Sequence, residues 1–88
     1  MDAKQRLVDL AVSESGFVFD PYTGATFSVN ASGMVILHEM KQGHRREEIL
    51  SALREAFVVE AEDLHRDLDE FLALLRSNGV LSAEFTLE

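Results

Sequence analysis

The chain has 88 residues, no cysteine and a formal net charge of −8. Without cysteine, disulfides and thiolate metal sites are excluded, and the negative charge argues against nucleic acid or an anionic membrane as a partner. Apolar residues make up 47% of the chain, which is enough for one modest core, so we predict a single domain over residues 1–88. No apolar run approaches the roughly 20 residues of a spanning helix, and Asp9 interrupts the first apolar stretch, so we expect a cytoplasmic protein.

The first apolar segment, residues 7–13, fits two periods. Leu7, Leu10 and Ala11 have helical spacing, whereas Val8, Leu10 and Val12 alternate as in a strand. A turn at residues 14–16 would let a first strand pair with residues 17–20. We therefore favour a strand.

Residues 16–30 have the pattern of a β-hairpin that ends at a helix cap. Apolar residues alternate on both arms, and we predict that they share one face of a sheet: Phe17, Phe19, Phe27 and Val29. Asp20-Pro21 opens the turn and Gly24 can supply a positive φ. The side chain of Asn30 can cap the helix that follows. The last strand, Ala25–Val29, would then have an open edge that can bind another chain.

The second half of the chain predicts three helices. The first spans about residues 31–42, the second begins near His44, and the third spans about residues 61–77 and closes at Asn78-Gly79. Residues 84–88 fit a short strand or a loose tail. The fold class is therefore α+β: a three-stranded antiparallel sheet followed by three helices, similar to a winged helix-turn-helix.

Catalytic chemistry has little support in the sequence. His38, His44 and His65 do not have metal-ligand spacing. There is no nucleophile-elbow motif, and the glycines are too scattered for a phosphate-binding loop. We therefore predict no catalytic residue, no metal and no cofactor.

Two charge clusters allow a structural or a functional interpretation. Asp63, Asp67 and Glu70 follow i, i+4, i+7 on the third helix, which is typical of a solvated face but also suits an acidic lip for a peptide with Lys or Arg. The only basic cluster either pairs locally with nearby glutamates or docks a larger enzyme, and local pairing is the commoner case. Its members are Lys41, His44, Arg45 and Arg46.

Several segments together resemble the PqqD-like peptide chaperones, also called precursor-peptide recognition elements. The likeness covers about residues 7–81. The segments that carry it are Phe19–Gly24, Phe27–Gly33, Ile36-Leu37, Glu48-Ile49, Asp67, Phe71-Leu72 and Gly79–Leu81. The Asp-Pro-x-x-Gly turn resembles the branch associated with kinases related to HPr kinase more than the chaperones of pyrroloquinoline quinone synthesis. Relatives often carry a Thr-x-x-Glu cap where this chain has His44-Arg45-Arg46.

The resemblance implies a non-catalytic module that binds the leader of a ribosomally made precursor peptide. The leader would add as a strand to Ala25–Val29, beside the third helix, and would be presented to a modifying enzyme such as a radical SAM protein, a cyclase or a kinase-like protein. With the acidic residues, the predicted peptide-binding set is Ala25, Thr26, Phe27, Ser28, Val29, Asp63, Leu64, Asp67, Leu68, Glu70, Phe71 and Leu74.

Peptide binding has three alternatives. A winged-helix DNA-binding protein shares the topology, but an acidic third helix is unsuited to phosphates. A dimerisation module would pair two open edges and give a homodimer. Binding of a small quinone has no supporting residues.

Overall fold

The computed structural model describes residues 3–58 and 60–88, and its fold is the predicted α+β class. The elements in chain order are α1 (Ala3–Val8), β1 (Ala11–Val12), β2 (Phe17–Phe19), β3 (Thr26–Ser28), α2 (Ala31–Lys41), α3 (Arg46–Ala56) and α4 (Ala61–Ser77). The strands form an antiparallel sheet in the order β1-β2-β3. Helices α2, α3 and α4 pack on one another, and α1 packs on α2.

The predicted first strand forms only at the end of its segment: residues 3–8 are helical, whereas Ala11–Val12 form β1 and pair with β2 as predicted. Leu7 and Leu10 are both buried, which fits the helical spacing at the start of the segment. A six-residue helix is too short to be stable alone, and burial of Leu7 together with hydrogen bonds from Arg6 to Asp20 and Gly79 holds it in place.

The hairpin forms as predicted, but its register contradicts the single apolar face. Phe17 lies opposite Ser28, Val18 opposite Phe27, and Phe19 opposite Thr26. Val18 is therefore the β2 residue that enters the core, at 1% exposure, whereas Phe17 and Phe19 face outward. The loop length between the strands fixes this register, and a shift of one residue exchanges the two faces of a strand.

Asp20 anchors the turn between β2 and β3. Its buried carboxylate accepts hydrogen bonds from the Tyr22 amide (3.0 Å), the Thr23 hydroxyl (2.9 Å) and the Arg6 guanidinium (2.8 Å). Burial alone would raise the pKa of Asp20, but these hydrogen bonds outweigh it and leave the pKa below its usual value. Gly24 has a φ of 78°, as a turn glycine can.

The helix ends follow the sequence closely, apart from the start of α3. The Asn30 side chain accepts a hydrogen bond from the Gly33 amide at 2.9 Å, which confirms the predicted cap. Asn78-Gly79 closes α4, because the amide of Val80 reaches the carbonyl of Leu75 and that of Gly79 reaches Arg76. The His44 amide donates a hydrogen bond back to the Glu39 carbonyl of α2, and α3 begins two residues later than predicted, at Arg46.

The core lies between the inner face of the sheet and the helices. It includes Val18 from the sheet and Ile36, Ile49 and Leu68 from the three long helices. Residues 84–88 are neither a strand nor loose: Phe85 and Leu87 pack partly buried against the core. The Arg76 guanidinium donates a hydrogen bond to the Phe85 carbonyl at 2.7 Å.

Candidate peptide-binding site

A groove of about 500 Å³ lies where the end of β3, the first turn of α2 and the middle of α4 meet. Its volume is in the usual range for a ligand site. The lining residues come from these three elements: Ser28, Val29, Asn30, Ser32, Gly33, Asp67, Glu70, Phe71 and Leu74. The cap at Asn30 turns the chain from β3 directly into α2, so it also sets one wall of the groove.

At alternate residues of the edge strand beside the groove, the backbone groups have no partner within ranges 3–58 and 60–88. The Asp20 amide bonds to the Ala25 carbonyl (2.9 Å) and the Val29 amide to the Gly16 carbonyl (2.8 Å). In an antiparallel ladder, hydrogen-bonded and non-bonded pairs alternate. The register therefore makes Val18 and Phe27 a bonded pair, and the backbone groups of Thr26 and Ser28 point away from β2. Their N–H and C=O groups form the open edge.

The floor of the groove is apolar. Phe71 is 6% exposed, and Leu74 and Val29 are half-buried. Gly33 lets these side chains lie close to the first turn of α2, since an added Cβ would lie 3.0 Å from the Val29 Cβ and 3.1 Å from a Phe71 ring carbon. A larger residue at position 33 would thus push into the groove floor.

The rim of the groove is acidic. Asp67 and Glu70 line it, and neither makes an ion pair with any residue that the structure describes. Asp63, by contrast, is paired with Arg66 at 3.0 Å within α4 and does not line the groove. The acidic lip thus consists of two carboxylates rather than the three suggested by spacing.

Apart from Asp63, the predicted site residues fall into three groups in the structure. Six of them line the groove: Ser28, Val29, Asp67, Glu70, Phe71 and Leu74. Thr26 and Phe27 lie on β3 beyond the groove, and Ala25 directly precedes the strand. Leu64 and Leu68 are buried in the core, at 2% and 0% exposure, so they support the α4 wall from behind.

Three groove residues were not included in the predicted set: Asn30, Ser32 and Gly33. The signal for them was present, because the cap at Asn30 places the first turn of α2 directly after β3. A helix that starts at the end of an edge strand brings its first turn to that edge.

The basic cluster makes contacts within the fold, and most of these contacts join residues that are distant in the sequence. Lys41 donates a hydrogen bond to the Leu10 carbonyl at 2.7 Å, and His44 pairs with Glu39. Arg46 pairs with Asp69 of α4 at 2.9 Å. Arg45 lies 3.8 Å from a carboxylate oxygen of Glu88. The predicted pairing with a nearby glutamate is thus seen for His44, whereas the other three side chains contact distant parts of the fold.

The described ranges, 3–58 and 60–88, contain neither a metal-binding group of side chains nor a helix that could cross a membrane. No three His, Cys, Asp or Glu side chains there are grouped so that they can hold a metal ion. Within the same ranges, no helix combines the length and apolar character needed to cross a membrane.

Comparison with known protein families shows to which family the chain belongs. Residues 16–81 match the model of the family described as coenzyme PQQ synthesis protein D (PqqD), and the chain belongs to this family. The matched range contains the hairpin, the groove and all three long helices. No curated protein is significantly similar in sequence. The branch associated with HPr-kinase relatives stays a prediction.

Two solved structures are similar over most of the chain. TbiB1 in complex with the TbiA(β) leader peptide has a TM-score of 0.74 and 27% identity, covering 88% of this chain and 91% of that one. Lasso peptide synthetase B1, complexed with the leader peptide, has a TM-score of 0.68 and 24% identity, covering 81% of this chain and 85% of that one. Both neighbours thus share the fold, and both structures are complexes with a leader peptide.

Proposed function

We propose that the chain is a non-catalytic module that binds the leader of a ribosomally made precursor peptide by strand addition to β3. The observation that carries this proposal is the open edge at Thr26 and Ser28 beside the groove. A strand edge supplies affinity through backbone hydrogen bonds, and adjacent pockets supply specificity at alternate residues. The leader peptide in the complex of the similar TbiB1 supports this choice of ligand.

The groove indicates what kind of side chain the leader brings to it. Peptide residues that point inward would meet the apolar floor at Phe71 and Leu74 and then the carboxylates of Asp67 and Glu70. An apolar residue followed by Lys or Arg fits this sequence of surfaces. Because the carboxylates are at the rim, they would guide association and specificity more than they would add affinity.

Presentation to a modifying enzyme completes the proposed role. The partner would be a radical SAM protein, a cyclase or a kinase-like protein in the cytoplasm, and the chain itself would act as one domain without a catalytic residue. Self-pairing of two β3 edges is the competing use of the same backbone groups.

Amide hydrogen exchange, measured by NMR with and without a synthetic leader from the precursor encoded beside this gene, tests the proposal. The leader should slow exchange at Thr26 and Ser28 by at least tenfold. The Phe27 amide, already bonded within the sheet, should change little. Chemical shifts should move from Thr26 to Gly33 and from Asp67 to Leu74.

Two outcomes would contradict the proposal. Shifts confined to α3 would place the ligand elsewhere. Protection of Thr26 and Ser28 that depends on protein concentration and not on peptide would show that the edge serves a homodimer.

A further inference from the structure

Two large aromatic side chains lie exposed on the outer face of the sheet. Phe17 is 63% exposed and Phe19 is 43% exposed. They are two residues apart on β2, so both rings stand on the same face, opposite to the core residue Val18. Single exposed apolar residues are common on protein surfaces, whereas a pair of adjacent exposed aromatic rings on a small domain indicates an interaction site.

The cross-strand neighbours of these rings are small. Phe17 lies opposite Ser28, and Phe19 lies between Thr26 on β3 and Ala11 on β1. Between the rings and the open edge of the sheet there is thus only one row of short side chains. Nothing on β3 covers the rings, and nothing there blocks a long side chain that arrives from the edge.

An added strand would place its own side chains over this row. Residues that pair across a ladder share one face of the sheet, so the peptide residues bonded to Thr26 and Ser28 project onto the outer face. The peptide strand would lie about 5 Å from β3 and about 10 Å from β2. Two long side chains can meet across that distance only above a small intervening residue, and Ser28 and Thr26 are such residues.

We propose that Phe17 and Phe19 form a second recognition surface, which contacts the outward-facing side chains of the bound peptide. This inference rests on the proposed function. The peptide is then read on both faces: one set of alternate residues enters the groove, and the other set packs on the two rings. The outer set consists of two aromatic or large aliphatic residues, two positions apart, next to Ser28 and Thr26.

A phage-displayed library of random 12-residue peptides provides the probe. The library is selected in parallel against the wild-type chain and the Phe17→Thr/Phe19→Thr double variant, because threonine keeps strand propensity and removes the rings. Peptides selected by the wild-type chain should have apolar residues both at the alternate positions that point into the groove and at those that point to the outer face. Peptides selected by the double variant should keep the preference at the inward-pointing positions and lose it at the outward-pointing positions.

A synthetic copy of the most enriched wild-type peptide then gives the affinity. Each single variant, Phe17→Thr or Phe19→Thr, should raise its Kd three- to tenfold, in line with the usual strength of aromatic cross-strand contacts. Val58→Thr is the control, since Val58 is fully exposed outside the sheet and should leave the Kd unchanged. Thermal unfolding should show that all variants remain folded, as these side chains lie on the surface.

The outcomes separate this inference from the proposed function. The inference is wrong if the double variant still selects apolar residues at the outward-facing positions and binds the synthetic peptide with an unchanged Kd. Rings that act only when a partner enzyme is present would give the same result, and this case also contradicts the inference. If no selected peptide protects the Thr26 and Ser28 amides from exchange, the proposed strand addition itself is wrong. Loss of outward preference, with amide protection retained, supports the inference.

Discussion

At the turn between β2 and β3, the buried carboxylate of Asp20 has three hydrogen-bond donors, and one of them, Arg6, also binds the Gly79 carbonyl at 2.8 Å. A few residues further on, the backbone groups of Thr26 and Ser28 point out of the sheet. The same hairpin therefore has one end with a satisfied buried carboxylate and one edge whose backbone groups have no partner inside the described fold. Satisfied buried groups stabilise a structure, whereas unpaired edge groups are available to a ligand.

This contrast separates stability from binding along one short segment. Asp20 fixes the turn, the turn fixes the register, and the register decides which residues of β3 face outward. The outer edge of β3 can then stay open, because the turn and the core hold the strand in place without hydrogen bonds on that edge. Substitutions at the turn should change folding, and substitutions at the edge should change binding.

The largest expected effect is on folding, at Asp20. Asp20→Ala removes the acceptor of three hydrogen bonds and takes the carboxylate partner away from Arg6. The free energy of unfolding should therefore fall by about 3 kcal/mol. In a domain of this size, that loss lowers the melting temperature by more than about 10 °C. Thermal and urea unfolding measure it, and Glu14→Ala, at an exposed position, should change stability by less than about 0.5 kcal/mol.

The pH dependence tests the cause of the Asp20 effect. Since the pKa of Asp20 is lowered in the folded state, its contribution is present above the unfolded pKa of about 3.9 and is lost as the pH falls through the folded pKa. Asp20→Asn, which cannot ionise, should flatten the decline of stability below about pH 4. An equally steep decline in both proteins would assign the acid sensitivity to other carboxylates.

The next effect is on binding, at the open edge. Ser28→Pro removes an outward-facing N–H that the sheet does not use, so stability should change by about 1 kcal/mol or less. A bound strand loses that hydrogen bond and meets the proline ring, so the Kd for the leader peptide should rise at least tenfold. Isothermal titration calorimetry and a parallel thermal melt compare the two quantities.

Ser28→Ala is the matched control for the proline variant. It removes the hydroxyl and keeps the backbone N–H, so its Kd should stay within about twofold of wild type. If the proline variant binds as well as the alanine variant, the peptide does not use this amide, and strand addition in the proposed register is wrong.

The sequence predicted the parts of the fold that depend on neighbouring residues. The cap at Asn30, the span of α4 and its closure at Gly79 all depend on side chains within a few positions, and all three are confirmed. The groove between β3 and α4 was expected from the resemblance to the PqqD-like peptide chaperones, and the structure contains a groove between these elements.

The sequence failed where a long-range contact makes the decision. Residues 7–13 fit both a strand and a helix, and the structure divides them: the burial of Leu7 and the contacts of Arg6 favour a helix up to Val8, whereas Ala11–Val12 pair with β2 as the predicted strand. The outward position of Phe17 and Phe19 depends on the loop length and on the burial of Val18, which alternation within each strand does not contain. The predicted face shared by Phe17, Phe19 and Phe27 is therefore wrong, since the first two lie on the surface and Phe27 packs against the core.

The smallest effect should be at the acidic rim, where Asp67 lines the groove without an ion pair to any described residue. Asp67→Lys should raise the Kd for a leader with Lys or Arg about fivefold and weaken the salt dependence of binding, because rim charges act through a screened field. Its melting temperature should stay nearly unchanged. Glu55→Lys makes the same change in charge on an exposed part of α3, away from this groove. Equal weakening by both variants would assign the effect to net charge and exclude a specific acidic lip.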